Sequence, residues 1–140
     1  EIFYRKKNCT FINDSKATSF QASKLALQNS KNIFWIVGGL PKKNDKFILN
    51  DLKKNIVKSY IIGKNTNFFK KQIKGQIKFY ETGTIKKSIL RILKDIRNLK
   101  KQNTTVLLSP SSASYDQYLN FEKRGEEFKK LSKLYARKYF

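Results

Sequence analysis

The stretch VLLSPSSASYDQYLNFEKRGEEF, residues 106–128, decides how this chain folds. It opens on three apolar residues at 106–108, as expected for a strand that is covered on both faces. A serine-rich turn follows at residues 109–114, and a helical pattern begins at about Phe121. A strand that ends in such a turn and leads to a helix offers backbone N–H groups at its carboxyl end, where α/β proteins bind anions. The stretch predicts a cradle for a carboxylate or a phosphate, although an ordinary solvated βα connection has the same pattern.

Two earlier loops also follow apolar strands. Phe11 and Ile12 end a predicted strand that is followed by NDSKATS, residues 13–19. The apolar run at residues 33–37 is followed by GGLPK, residues 38–42. The two glycines allow unusual backbone angles and the close approach of a ligand, and Lys42 supplies a cation. Three loops of the same kind strengthen the interpretation of an anion site.

The rest of the chain alternates predicted strands with predicted helices. Residues 2–13 predict a β-hairpin around residues 6–8. A helix capped by Thr18 or Ser19 is predicted next, with Ala22, Leu25 and Ala26 on its inner face. Further strands are predicted at residues 57–62, 76–80 and 105–108, and further helices at residues 47–54, 67–72, from 84 and from about 121. This alternation predicts a three-layer α/β fold with a mostly parallel sheet and an N-terminal β-hairpin.

The composition limits the classes of protein that fit. A chain of 140 residues, 39% hydrophobic and 14% aromatic, predicts a single globular domain, residues 1–140. No apolar run is long enough to span a bilayer, and no signal-peptide pattern is present at the start. Cys9 is the only cysteine and there is no histidine, so an internal disulfide, a zinc site and histidine-based catalysis are excluded. We expect a reducing compartment and no metal ligands on this chain.

The net charge of +21 raises nucleic acid or an anionic membrane as a partner. Only five of the 31 basic residues are arginine, the residue that suits bidentate phosphate and base contacts. The lysines are spread over every segment. We therefore interpret the charge as a solvated surface, with no nucleic acid and no membrane as partner, and keep a basic nucleic-acid-binding α/β module as the alternative.

The chain contains no methionine and opens in strand-like alternation at residues 1–4. Both features are expected of a piece of a longer protein. A processed protein could also lack methionine, but it would rarely begin within a strand.

Taken together and in this order, NDSKATS, GGLPK and residues 107–128 resemble the C-terminal domain of the Mur ligase family, and most closely its D-glutamate-adding member. The resemblance covers nearly the whole chain, and the third motif is specific to that member. The Asp-Asn-Pro-Arg motif of the diamino-acid-adding ligases is absent. The resemblance implies a Rossmann-like domain, the third of three, with the N-terminal UDP-binding and central ATP-binding domains outside this chain.

The resemblance also implies an activity. Such a cytoplasmic enzyme of peptidoglycan biosynthesis uses ATP and Mg²⁺ to phosphorylate the carboxylate of UDP-MurNAc-L-alanine, and the amine of D-glutamate then attacks the acyl phosphate. The domain supplies the D-glutamate site and closes over ATP, in a protein that we expect to be a monomer. A sister ligase that adds another amino acid is the alternative within the family.

The chain has no G-x-x-x-x-G-K-[ST] loop, and therefore no backbone cradle for a triphosphate. The reaction also needs groups from two domains held within reacting distance. We expect the isolated chain to be inactive as a ligase and as an ATPase.

The family pattern places four residues around the two carboxylates of D-glutamate: Thr18, Lys42, Ser114 and the backbone N–H of Phe121. One ammonium, two hydroxyls and a backbone donor suit a small dianion. Tyr115 matches a position that lines the same pocket. Each residue also has a structural interpretation, as a helix cap, a solvated cation, a turn hydroxyl or a core aromatic.

The pattern places Asp14 and Lys16 on the side of ATP. An acidic side chain can hold ribose hydroxyls, and a lysine can meet phosphate charge near the acyl-phosphate intermediate. In many relatives an acidic residue stands third in the Gly-Gly loop, whereas this chain has Leu40 and Pro41 there. We expect that one ligand-orienting contact is missing or supplied elsewhere.

Overall fold

The computed structural model describes residues 1–99, 103–114 and 117–140. Along these residues the elements are β1 (Ile2–Lys6), β2 (Cys9–Asn13), α1 (Phe20–Asn29), β3 (Ile33–Gly38), β4 (Leu40–Pro41), a 3-10 turn (Lys53–Asn55), β5 (Ile56–Ile62), α2 (Thr66–Ile73), β6 (Phe79–Gly83), α3 (Ile85–Leu99), β7 (Thr104–Leu108), β8 (Ser112–Ala113) and α4 (Phe121–Tyr139). The predicted strand–helix alternation is confirmed.

Within the described residues the central sheet has the order β1-β2-β7-β3-β5-β6. The neighbouring pairs from β2 to β6 are all parallel, and β1 pairs with β2 antiparallel. The predicted parallel sheet with an N-terminal hairpin is therefore confirmed. Strand β7 lies between β2 and β3, and Leu107 is in register with Ile12 on one side and with Trp35 on the other.

Helices cover both faces of this sheet. Because side chains alternate along a strand, Phe34 and Ile36 of β3 pack with α3 and α4, whereas Trp35 and Val37 pack with α1 and α2. All residues of β3 are buried, which explains its uninterrupted apolar sequence. The predicted three-layer, Rossmann-like fold is confirmed. None of the helices in the described ranges combines the length and apolar character needed to cross a membrane.

The prediction for the inner face of α1 was wrong for Ala22 and Leu25. Both are exposed, Leu25 to 65%, and Ala26 is partly buried. The side chains that α1 buries are Phe20, Ser23 and Leu27. The helix begins at Phe20, with Ser19 as its N-cap, so the aromatic ring in its first turn sets which face meets the sheet.

The predicted helix at residues 47–54 is also wrong, because only the 3-10 turn at Lys53–Asn55 forms there. Phe47, Leu49 and Leu52 are buried against the α1 and α2 face. The backbone N–H of Phe47 donates to Oε1 of Gln72 at 3.0 Å, so α2 holds the start of this segment in a non-helical path.

The strand predicted at residues 76–80 begins later, at Phe79. The backbone N–H groups of Gln76 and Ile77 both donate to the carbonyl of Ile73, at 3.1 Å each. They continue the turn that ends α2, which delays the extended conformation.

A buried carboxylate joins α3 to the sheet. Asp95 is 5% exposed, and its Oδ2 accepts a hydrogen bond of 2.7 Å from the hydroxyl of Tyr60. Nε of Arg91 lies 3.3 Å from Oδ1, and Nζ of Lys58 lies 3.6 Å from Oδ2. The guanidinium of Arg91 also stacks on the ring of Tyr80. Burial and the hydrogen bond to Asp95 raise the pKa of Tyr60, so the phenol stays a donor at neutral pH.

We expect Asp95→Ala to lower the free energy of unfolding by about 3 kcal/mol, because it leaves the hydroxyl of Tyr60 and two cations without their shared acceptor. Urea denaturation measures the change. Asp51→Ala removes an equal charge from an exposed position and serves as the matched control, with an expected change within about 0.5 kcal/mol. Equal losses in the two variants would show that net charge, and not the buried cluster, determines the effect.

Candidate functional site

Three loops leave neighbouring strands at one edge of the sheet. The first loop (residues 13–19) follows β2, the second loop (residues 38–42) follows β3, and the third loop (residues 109–120, described except at 115 and 116) follows β7. Because β7 lies between β2 and β3, the third loop emerges between the other two. Carboxyl ends of parallel strands are where open α/β sheets bind ligands.

The first loop is hydrogen-bonded to the end of β7 and to the third loop. The backbone N–H of Asp14 donates to the carbonyl of Leu108 at 2.7 Å, and the hydroxyl of Ser109 donates to Oδ2 of Asp14, also at 2.7 Å. Burial raises the pKa of the Asp14 carboxyl group, and the hydrogen bond from Ser109 offsets part of that rise. Asp14 is therefore held in place, with one oxygen already engaged by the protein.

The second loop pairs with the third through the backbone. The N–H of Gly38 donates to the carbonyl of Pro110 at 3.1 Å, and β4 forms an antiparallel pair with β8. Gly39 has φ +135°, and a Cβ there would lie 2.5 Å from the carbonyl oxygen of Ala113. This close approach requires glycine. Leu40 and Pro41 are the residues of the second loop that pair with the third loop.

The serines of the third loop are turned into the protein. Ser109, Ser111 and Ser112 are fully buried. The carbonyl of Ser109 accepts a hydrogen bond of 2.7 Å from Nε1 of Trp35, and the hydroxyl of Ser111 donates to Ser23 at 2.7 Å. The hydroxyls of these serines donate to other groups of the protein, so they fix the loop and do not form an open cradle.

Asp45 connects the second loop to the start of α1. Its Oδ2 accepts the backbone N–H of Phe20 at 2.8 Å, and its own N–H donates to the carbonyl of Lys42 at 3.1 Å. Ser19 caps the same helix by accepting from the N–H of Ala22 at 3.3 Å. Of the two alternatives left open by the sequence, Ser19 is the cap, and the exposed Thr18 precedes it.

Of the predicted D-glutamate residues, Thr18, Lys42 and Ser114 lie on these joined loops, and they differ in exposure. Thr18 and Lys42 are exposed, Ser114 is 3% exposed, and Phe121, the first residue of α4, is 39% exposed. The carbonyl of Ser114 accepts N–H groups from residues 117 and 118, at 3.0 and 2.8 Å, which turns the chain toward α4. Tyr115 lies outside the described residues.

A hollow of about 340 Å³ lies beside the contact between the first loop and α4. It is lined by Glu1, Asn13, Ser15, Lys16, Phe121, Glu122, Glu126 and Lys129. Lys16 and Phe121 therefore share one hollow, whereas Thr18, Lys42 and Ser114 do not line it. The D-glutamate set and the ATP roles of Asp14 and Lys16 stay predictions.

The sequence did not reveal Arg124 as part of this site. Its side chain is 1% exposed, and it donates from Nε to the hydroxyl of Ser15 at 3.0 Å and from Nη2 to the carbonyl of Ser15 at 2.6 Å. The hydroxyl of Ser15 in turn donates to the carbonyl of Phe121 at 2.7 Å. The one signal in the sequence was an arginine within the third motif of a chain whose basic residues are mostly lysine.

The three-layer fold, with three joined loops at one carboxyl edge, defines a Rossmann-like α/β domain. No family model matches the chain. It is 38% identical over 127 residues to a UDP-N-acetylmuramoylalanine--D-glutamate ligase of Nitrobacter hamburgensis, which covers 91% of this chain and 27% of that protein. Proteins of the same name from Agrobacterium fabrum and Wolbachia sp. subsp. Brugia malayi are 39% and 37% identical, over 89% and 91% of this chain and 26% of each relative. The chain belongs to the Mur ligase family and matches the C-terminal domain of its D-glutamate-adding member.

The chain thus spans about a quarter of the length of the curated relatives that it matches.

We expect Gly39→Ala to lower the free energy of unfolding by roughly 3 kcal/mol, because a left-handed backbone penalty adds to a steric clash with the carbonyl of Ala113. Urea denaturation measures the loss. Gly75→Ala is the matched control, since Gly75 also has positive φ, +80°, but a Cβ added there would have no neighbour within 4 Å; its expected loss is about 1 kcal/mol. Similar losses in the two variants would mean that the loop tolerates a side chain at Gly39.

The buried carboxylate of Asp14 generates a prediction about pH. Because its pKa is raised in the folded chain, the free energy of unfolding falls as the pH rises through the range just above the ordinary pKa of aspartate. We expect Asp14→Asn, which keeps an acceptor for Ser109, to be at least as stable as the wild type at neutral pH and to lose its advantage at acid pH. Urea denaturation across this range, with Asp51→Asn as the exposed control, measures the difference. A wild-type advantage that grows toward neutral pH would contradict this.

Proposed function

We propose that this chain is the D-glutamate-binding domain of an ATP-dependent ligase that adds D-glutamate to UDP-MurNAc-L-alanine through an acyl-phosphate intermediate. The observation that carries the proposal is the joining of three loops, 13–19, 38–42 and 109–120, at the carboxyl ends of the adjacent strands β2, β3 and β7. The names and identities of the curated relatives support the choice of substrate.

The proposed binding set suits a small dianion. Lys42 is an exposed ammonium group on the second loop, and Thr18 and Ser114 bring hydroxyls from the first and third loops. Phe121 opens a helix of 19 residues, and the first N–H groups of a helix have no partners within it. The positive end of the helix favours a carboxylate there. Each carboxylate of D-glutamate would thus meet at least one charged or backbone donor.

The other substrates are assigned mainly to the preceding domains. Asp14 is proposed to hold ribose hydroxyls of ATP, and the exposed Lys16 to face the phosphates and the acyl phosphate when the domains close. ATP, when bound, supplies the phosphoryl group that activates the carboxylate. No three His, Cys, Asp or Glu side chains gather to hold a metal ion in the described part of the chain, so we assign Mg²⁺ to the central domain. Cytoplasmic location and a monomeric state belong to the same proposal.

Replacing Lys42 with alanine in the ligase that contains this chain tests the proposal. We expect the KM for D-glutamate to rise roughly 10- to 100-fold, since a charged hydrogen bond contributes about 1.5–3 kcal/mol. The KM for ATP should change less than about twofold, because ATP is proposed to bind on the central domain. Steady-state kinetics with each substrate varied in turn measure both constants.

Lys43→Ala is the matched control, since it removes the same charge from the adjacent exposed position and should leave both constants nearly unchanged. A parallel rise in both KM values would indicate a displaced loop, and an equal effect of Lys43→Ala would indicate a general field of lysines. Assays with L-glutamate and a diamino acid in place of D-glutamate distinguish a sister ligase.

A further inference from the structure

Arg124 is the fourth residue of α4, and its side chain is 1% exposed in a protein whose basic residues lie mostly at the surface. Burial of a guanidinium group is costly unless its donors are satisfied. A buried arginine in a lysine-rich chain therefore indicates a geometric requirement that an ammonium group does not meet.

Two donors of Arg124 meet a single residue of the first loop. Two nitrogens of its planar fork, Nε and Nη2, donate to the hydroxyl and the carbonyl of Ser15, at 3.0 and 2.6 Å. The N–H of Ser15 donates to Oδ1 of Asn13 at 3.0 Å, and its hydroxyl donates to the carbonyl of Phe121 at 2.7 Å. The backbone N–H, the carbonyl and the hydroxyl of Ser15 are all engaged, so this residue has little freedom to move.

The neighbouring glycines show how closely the elements approach. A Cβ on Gly125 would lie 2.8 Å from Nδ2 of Asn13 and 3.2 Å from Cβ of Ser15. A Cβ on Gly39 would lie 3.5 Å from Nη1 of Arg124. The guanidinium group therefore sits where the first loop, the second loop and α4 meet.

We propose that Arg124 is a positioning residue that holds the first loop against the first turn of α4 through Ser15. Asp14 and Lys16 flank Ser15 in the chain, and Phe121 receives its hydroxyl hydrogen bond. The clamp therefore sets the spacing between the groups assigned to ATP and the N-terminus of α4 assigned to D-glutamate. Because Nε and Nη2 are committed to Ser15, these two nitrogens act through the loop. The consequence for ligation rests on the proposed function.

The structural part is tested on the 140-residue chain by amide hydrogen exchange followed by NMR. In Arg124→Met we expect the amides of Ser15 and Ala17 to exchange at least tenfold faster than the global loss of stability explains. Ser15→Ala, which removes the hydroxyl alone, should loosen the same amides and keeps the test valid if Arg124→Met does not fold. The control is Phe128→Leu, at a fully buried apolar position on the same helix, which should leave the first loop at its wild-type protection once corrected for global stability.

Unchanged exchange of the Ser15 and Ala17 amides in both Arg124→Met and Ser15→Ala would overturn the clamp. A loop-specific effect of Phe128→Leu as large as that of Arg124→Met would do so as well, because it would make the loosening a general result of destabilising α4.

The functional part is tested in the ligase that contains the chain. We expect Arg124→Lys, which keeps the charge but loses the fork, to lower kcat at least tenfold, while the KM for the UDP-linked substrate, bound on another domain, changes less than twofold. Phe128→Leu should leave kcat within twofold. A wild-type kcat in Arg124→Lys would overturn the positioning role in catalysis. If the wild-type ligase does not use D-glutamate, the proposed function fails, and the exchange experiment still decides whether Arg124 holds the loop.

Discussion

The constraint on which the structure depends is the insertion of β7 between β2 and β3. A parallel sheet brings the carboxyl ends of its strands to one edge, and this insertion makes neighbours of loops that are up to about a hundred residues apart in the chain. The contacts that follow are partly between backbones: Asp14 N–H to the carbonyl of Leu108, and Gly38 N–H to the carbonyl of Pro110. Such contacts need a loop of the right path more than a particular side chain, which is why glycine matters at position 39.

Loops that approach so closely bury polar groups, and each buried group needs a partner. The carbonyl of Ser109 accepts a hydrogen bond from Nε1 of Trp35, the one polar side-chain atom on an apolar strand. Asp45 accepts the N–H of Phe20, which joins the second loop to α1. Arg124 does the same for the first loop and α4. Networks of buried hydrogen bonds tend to specify one arrangement, and here such bonds hold each loop to a helix as well as to its neighbour.

The sequence predicted features that depend on local periodicity. The apolar runs of β3 and β7, the helix predicted from residue 84 and the hairpin of β1 and β2 are visible in short windows, and the structure confirms them. The prediction for the inner face of α1 was wrong because Phe20, which sets that face, lies at the helix boundary, where sequence patterns are least informative. The helix predicted at residues 47–54 was wrong because the backbone of Phe47 is hydrogen-bonded to Gln72 of α2, a contact that lies outside any short sequence window.

The residues of the predicted site came from motifs, and motifs reveal side chains that face a ligand better than those that hold the loops. Ser15 and Arg124 are 109 residues apart, and Phe20 and Asp45 are 25 apart. Neither pair has a periodicity that marks it, since each depends on which strands become neighbours. Local patterns did not supply the strand order, and the supporting residues of the site could not be predicted without it.

The excess of positive charge on this chain cannot by itself make an anion site selective. Lysines spread over the surface attract any anion, and at physiological ionic strength their effect is largely screened beyond about 8 Å. A net charge of +21 therefore favours the approach of a dianion without distinguishing D-glutamate from another small acid. Discrimination requires a few donors at fixed separations, because only matched donors satisfy both carboxylates at once. Under the proposed function, the separations between Thr18, Lys42 and Phe121 are set by Ser19 and Asp45 at α1 and by Ser15 and Arg124 at α4. The selectivity of such a site then depends on residues that do not contact the substrate.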